Sequence, residues 1–184
     1  MAGGNIINDR VLAITPSLTL SIDGRAKEMT AAGKKVFSFA AGEPDFDTPE
    51  HIKKAAAKAL ESGQTKYAPV GGLLSLRCAI ASKFEKDNGL RYDPAHIVVS
   101  NGAKHSLYNI FMALCREGDE VIIPSPYWLS YPEMINVAGG RVLFVQCREE
   151  NDFKLIPSEF EKAITPRTKA VIINSPSNPV GYVY

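Results

Sequence analysis

Residues 96–124 read HIVVSNGAKHSLYNIFMALCREGDEVIIP, and this stretch decides the fold. His96–Ser100 and Glu120–Ile123 are short, β-branched and almost continuously apolar, without alternation of wet and dry positions. Strands of that kind suit a sheet buried on both faces. Between them Lys104–Cys115 carries its apolar residues at helical spacing, so the stretch reads strand, helix, strand. The alternation continues with a short helix near Pro132–Val137, a strand at Arg141–Gln146, a helix near Pro157–Ile164 and a strand at Ala170–Asn174. The expected fold class is α/β, a mostly parallel sheet covered by helices.

Upstream the signals are helical. The first fifteen residues look like an arm with no strong periodicity. Thr15-Pro16 reads as an N-cap with proline at the first helical position. Leu18, Ile22, Ala26 and Met29 then share one face until Gly33. Val36–Ala40 reads as a short strand leading into the loop Ala41–Asp47. A helix starting at Asp47 or Thr48, with Pro49 and Glu50 behind it, runs to Gly63. A further helix directs Leu74, Cys78, Ala81 and Phe84 inward and stops by Gly89.

Composition narrows the function classes. The 184 residues carry 21 Lys+Arg against 20 Asp+Glu, a net charge of +1, which gives no reason to expect nucleic acid or an anionic membrane as partner. Apolar runs are short and broken by charge, and the N-terminus lacks the continuous apolar stretch of a signal peptide. Cys78, Cys115 and Cys147 are odd in number and widely spaced. They read as buried free thiols of a reducing compartment, with cytoplasm the expected location. His51, His96 and His105 stand in unrelated contexts, so no metal site is expected.

Five motifs carry candidate chemistry. Ser100-Asn-Gly-Ala-Lys-His-Ser106 joins a strand end to a helix start, where outward N–H groups and the helix dipole favour an anion such as phosphate; a plain tight turn is the alternative. Pro124-Ser-Pro-Tyr-Trp-Leu-Ser-Tyr-Pro132 places Trp128, the one tryptophan, in a loop at the sheet edge where α/β folds bind ligands. It is either a stacking face for an aromatic ring or a cap on the core. In Asn174-Ser-Pro-Ser-Asn-Pro-Val-Gly181, Asn178 precedes proline and is kept out of the helical region, so its amide projects in a fixed direction. Ala40–Pro49 contains Gly42, which allows close backbone approach to a ligand. Thr65–Pro69 contains Tyr67, a hydrogen-bond donor to an anion.

Together, in this order and spacing, the runs AAGEPDFDTPEHIKKA, TKYAP, SNGAKHSL, REGDEVIIPSPYWLSYPEM and ITPRTKAVIINSPSNPVG resemble the N-terminal half of the fold-type I, class I aminotransferases that use pyridoxal 5'-phosphate. The resemblance is to the aspartate and aspartate/prephenate group. It implies an N-terminal arm and small-domain segment over residues 1–48, then an incomplete cofactor-binding large domain over 49–184. By resemblance, Gly102, Ala103 and Lys104 hold the cofactor phosphate through main-chain N–H groups, so Lys104 is not the Schiff-base lysine. Trp128 stacks on the pyridine ring, and Asn178 donates to the phenolic oxygen. Tyr67 reaches the phosphate of a neighbouring subunit, which implies a homodimer with a shared site. Gly42 meets the substrate α-carboxylate, with Trp128 and Asn178 also lining the substrate position. Two departures stand out: Val180 replaces the threonine of the family's Asn-Pro-Thr-Gly, and Ala103 stands where relatives often carry glycine.

The implied reaction is transamination between aspartate or glutamate and a 2-oxo acid, with aromatic amino acids, alanine or prephenate as alternative substrates. A rival of another class is a non-catalytic, truncated phosphate- or cofactor-binding protein. The family's aspartate, Schiff-base lysine and substrate-gripping arginine would lie beyond Tyr184. The chain alone is therefore expected to be inactive, to expose apolar surface and to depend on partners.

Overall fold

The structure, a computed structural model, describes residues 6–40 and 42–184. In chain order the helices are α1 (Asp9–Leu12), α2 (Leu18–Ala31), α3 (Glu50–Glu61), α4 (Leu74–Asn88), α5 (Gly102–Leu114), α6 (Ser130–Val137) and α7 (Pro157–Ala163). The strands are β1 (Glu120–Ser125), β2 (Arg141–Gln146) and β3 (Thr168–Val171). The chain forms two compact units: one of Met1–Ser17 with Asn101–Tyr184, the other of Leu18–Ser100.

The first unit is built on a three-stranded sheet of order β2-β1-β3, both outer strands parallel to β1. This is the α/β arrangement that the continuous apolar runs require. Side chains alternate across a strand. Val121 and Ile123 face the core formed with Phe111 of α5, Cys115 just after it, and Tyr131, Met134, Ile135 and Ala138 of and beside α6. Ile122 faces the other way and is equally buried. Burial of β1 on both faces explains why its sequence shows no polar alternation. By contrast β2 lies at the edge and leaves Phe144 half exposed, its ring stacked on Tyr127 at 4.8 Å.

The start of β1 is fixed by charge. Glu120 is buried; Thr165 donates its hydroxyl to one carboxylate oxygen, and Arg167 donates Nε and Nη2 to the other at 3.1 and 2.8 Å. The Thr165 hydrogen bond, then the Arg167 guanidinium, hold the Glu120 carboxyl below its ordinary range. The β1–β3 register shifts just here, between Glu120 and Val121.

The N-terminal segment belongs to this unit. Asn8 caps α1 by accepting from Arg10 N–H at 2.9 Å, and α1 packs on α6. Thr15 N–H donates to Glu133 of α6 at 3.3 Å. The expected cap lies off the helix: α2 begins at Leu18, three residues beyond Thr15.

The second unit holds α2, α3, α4 and a 3-10 turn at Pro94–His96. α3 starts at Glu50 with Pro49 at the cap position and no side-chain cap bond; Lys53 pairs with Glu50 at 3.2 Å and Asp47 at 3.7 Å. The segment 69–72 is fastened to 94–99. Arg77 Nη1 donates to Pro94 O at 3.1 Å, and Val99 N–H donates to Gly71 O at 3.0 Å. Gly72 has φ +97°, and a Cβ there would come within 2.7 Å of Val99 Cγ2. Only glycine fits that approach.

Three expectations are corrected. Neither Val36–Ala40 nor His96–Ser100 is a strand among the described residues. His96 closes the 3-10 turn and the rest of both segments carries no regular structure; a strand exists through its ladder, and the bond at Val99 is to a loop, while Phe39 stands 95% exposed. Cys115 and Cys147 are buried thiols, pushed up by burial, while Cys78 is exposed. On α4, Ala81 and Phe84 are half-buried, but Leu74 and Cys78 face outward, because no layer covers that side of the helix.

Candidate functional site

In a parallel sheet every strand ends on the same edge, and the loops there gather the groups that bind ligands. The first unit follows this rule. β1 runs out at Ser125 into the loop that carries Tyr127 and Trp128, and β3 runs out toward Asn174–Gly181. A shallow crevice lies between the two loops, lined by Ile123, Pro126, Tyr127, Tyr131, Ile172, Asn174, Ser177, Asn178 and Tyr182.

The loop holding Asn178 is ordered by its own backbone. Gly181 N–H donates to Ser177 O at 2.7 Å and Ser177 N–H to Tyr182 O at 2.9 Å. Asn174 Oδ1 accepts from Asn178 N–H at 2.7 Å, so Asn174 positions its neighbour's main chain. The Asn178 side-chain amide is exposed and makes no hydrogen bond among the described residues. Tyr182, at the crevice wall, has its phenol pushed up to about 12, first by burial and then by its hydrogen bond with Tyr184. Burial also raises Tyr131. Both phenols are therefore neutral donors at ordinary pH.

Trp128 is half-buried against the core. Tyr131 meets it edge-on at 5.3 Å and 88°, and Lys104 Nζ stands 5.0 Å from the ring centre, a cation–π geometry. Lys104 lies in the first turn of α5. Asn101 is the cap residue of that helix, yet its side chain makes no cap bond, and the first N–H groups of a helix have no partners within it. Gly102 turns the chain at φ +78°. Among the described residues the N–H groups of Gly102, Ala103 and Lys104 have no partner, and with the dipole of α5 behind them they suit an anion.

The structure thus brings Gly102, Ala103, Lys104 and Trp128 together and places Asn178 in the crevice with Tyr127 and Tyr131. Gly42 and Tyr67 belong to the other unit. There Gly42 is exposed, with open space where a Cβ would be, and Tyr67 is 107% exposed, so neither is used for packing in its own unit. Sequence reasoning passed over Tyr131, Tyr182, Asn174 and His105. Tyr131 and Asn174 lie inside motifs already quoted, and His105 gave a signal only as part of SNGAKHS. Among the described residues, no cluster of His, Cys, Asp and Glu could hold a metal ion, and no helix is long and apolar enough to cross a membrane.

A parallel sheet covered by helices, with its loops gathered at the carboxyl edge, defines the class of the fold as α/β. Comparison with known proteins names the family. Residues 34–184 match the model for aminotransferase class I and II, and the chain belongs to that family. It is 57% identical over 95% of its length to an aspartate aminotransferase of Geobacillus stearothermophilus, covering 44% of that protein. It is 50% identical over 97% of its length to an aspartate/prephenate aminotransferase of Cereibacter sphaeroides, again covering 44%. Among solved structures, the aspartate aminotransferase of Thermus thermophilus with maleate superposes with a TM-score of 0.93 at 48% identity, over 96% of this chain and 46% of that one. The chain therefore spans a little under half the length of these relatives.

Proposed function

We propose that this chain supplies the cofactor-phosphate side of a pyridoxal 5'-phosphate-dependent aminotransferase acting between aspartate or glutamate and a 2-oxo acid. The observation that carries the reading is the uncapped start of α5, with Gly102 at φ +78°, standing beside Trp128 through Lys104. The donor set fits the group: free N–H groups suit a phosphate, an indole face suits a pyridine ring, and an exposed carboxamide suits a phenolic oxygen. When bound, that cofactor supplies the electron sink which stabilises a carbanion at the substrate α-carbon.

In this reading Gly102, Ala103 and Lys104 bind the phosphate through the main chain, and Trp128 orients the ring. Asn178 donates to the phenolic oxygen and favours its anionic form. Gly42 contributes backbone N–H to the substrate α-carboxylate. Tyr67 projects from its unit toward the phosphate of a second copy, so the working unit is a homodimer. Residues 1–48 form the arm and small-domain segment, and 49–184 the large-domain part.

The test is a titration of the full chain with pyridoxal 5'-phosphate and, separately, pyridoxal, followed by the fluorescence of Trp128. The expected result is saturable quenching, tighter for the phosphorylated compound. Equal affinity for the two compounds overturns the phosphate assignment.

A further inference from the structure

We propose that His105 is a positioning residue for the phosphate-binding turn. The proposal rests on the phosphate reading above. At a helix start the cap side chain ordinarily accepts a main-chain N–H from the first turn. Here Asn101 does not. Instead the Asn101 N–H points forward and donates to His105 Nδ1 at 3.2 Å. A side chain reaching back to the N–H of the cap residue plays the part that Glu or Gln takes in a capping box, here from the fourth residue of α5, one position later than in the box.

Two consequences follow from the chemistry of imidazole. A ring nitrogen that accepts an N–H carries no proton, so the neutral ring of His105 is held as the Nε2–H tautomer. In addition, the bond uses the one N–H that precedes the turn. It fixes Asn101 at φ −76°, ψ 71°, the conformation from which Gly102 swings to φ +78°, and it leaves the N–H groups of Gly102, Ala103 and Lys104 unspent. A carboxylate in the same place would make the same bond but would set a negative charge beside the phosphate. Neutral imidazole makes it without that repulsion.

The test is made on the full chain with inorganic phosphate as probe. Amide chemical shifts of Gly102–Lys104 report binding, and the nitrogen shifts of His105 report the tautomer. The expected result is an unprotonated Nδ1 coupled to the Asn101 amide. His105→Leu should weaken phosphate binding roughly three- to tenfold, the worth of one hydrogen bond, and His105→Gln, whose Oε1 accepts the same N–H, should restore it to within about twofold. If the wild-type chain binds phosphate but His105→Leu binds it equally well, or Nδ1 carries the proton, the role of His105 is overturned and the phosphate reading stands. If the wild-type chain shows no phosphate-dependent shifts at Gly102–Lys104, the phosphate reading fails and the positioning role with it. Should His105→Leu not fold, the wild-type chain decides: a hydrogen-bond coupling between the Asn101 amide and unprotonated Nδ1 supports the role, and its absence or a protonated Nδ1 overturns it.

Discussion

The two units draw on the same kinds of residue and use them differently. In the unit built on β1, apolar side chains from a strand and two helices converge, and Val121, Ile122, Ile123 and Ile135 are fully buried. In the Leu18–Ser100 unit no described residue is buried, although its helices carry more leucines, isoleucines and alanines than those of the sheet unit. The difference lies in layers. In the first unit the sheet gives the helices a flat apolar face to cover, and among the described residues the second unit holds no strand. The turn at Gly102, Trp128 and Asn178 stand on the unit with the core; Gly42 and Tyr67 stand on the other.

The contrast breaks most readily through core substitutions. Ile123→Ala or Ile135→Ala should destabilise the sheet unit by about 2–5 kcal/mol, because each leaves a cavity that neighbours fill only in part. The matched change Leu60→Ala, at a side chain 66% exposed, should stay within about 0.5 kcal/mol. Urea unfolding of the three variants reads the difference, and equal losses would erase the distinction between the units. Next in size is the close approach at Gly72 in the second unit. Gly72→Ala should cost about 1–3 kcal/mol through backbone strain and the approach to Val99. A chain that melts unchanged would show that segments 69–72 and 94–99 are not fastened together.

Glu120 gives a pH-dependent term. Its carboxyl is held below the ordinary 4.5, first by the Thr165 hydroxyl. Its contribution to stability is therefore present above the unfolded value and lost as pH falls through the folded one. Glu120→Gln should melt below the wild type at neutral pH, with the gap narrowing once pH drops under 4.5. A gap that stays constant down to strong acid would contradict the assignment. The smallest effect is expected at Lys104→Met. It removes a cation–π contact of about 0.5–1 kcal/mol and should change the emission of Trp128 while leaving the unfolding transition nearly where it was. Unchanged emission would mean that Lys104 does not occupy the indole face in solution.

Much of the sheet unit was legible in the sequence because its strands are bounded by turn residues and pair through neighbours close along the chain. Arg141–Gln146 reads from sequence with the bounds observed, and α5 differs from its expected span by two residues at its start and one at its end. His96–Ser100 was not legible as an unpaired segment. HIVVS states a preference for a ladder, but whether a ladder forms depends on a partner that local sequence does not name. The same holds for Leu74 and Cys78, whose spacing marks a helix face without saying what covers it. At the site, Trp128 and the Gly102 turn announced themselves through residue type and placement at a strand end. His105 and Asn174 did not, because their part is to hold another residue's backbone, and that is visible only as a distance.

The most direct measurement is residue-resolved hydrogen exchange of the chain with and without pyridoxal 5'-phosphate. The account predicts that the slowest amides lie in β1 and α6 and that the ligand adds protection at Gly102, Ala103 and Lys104. Slow exchange concentrated in α3 or α4, or ligand protection that bypasses the start of α5, would contradict it.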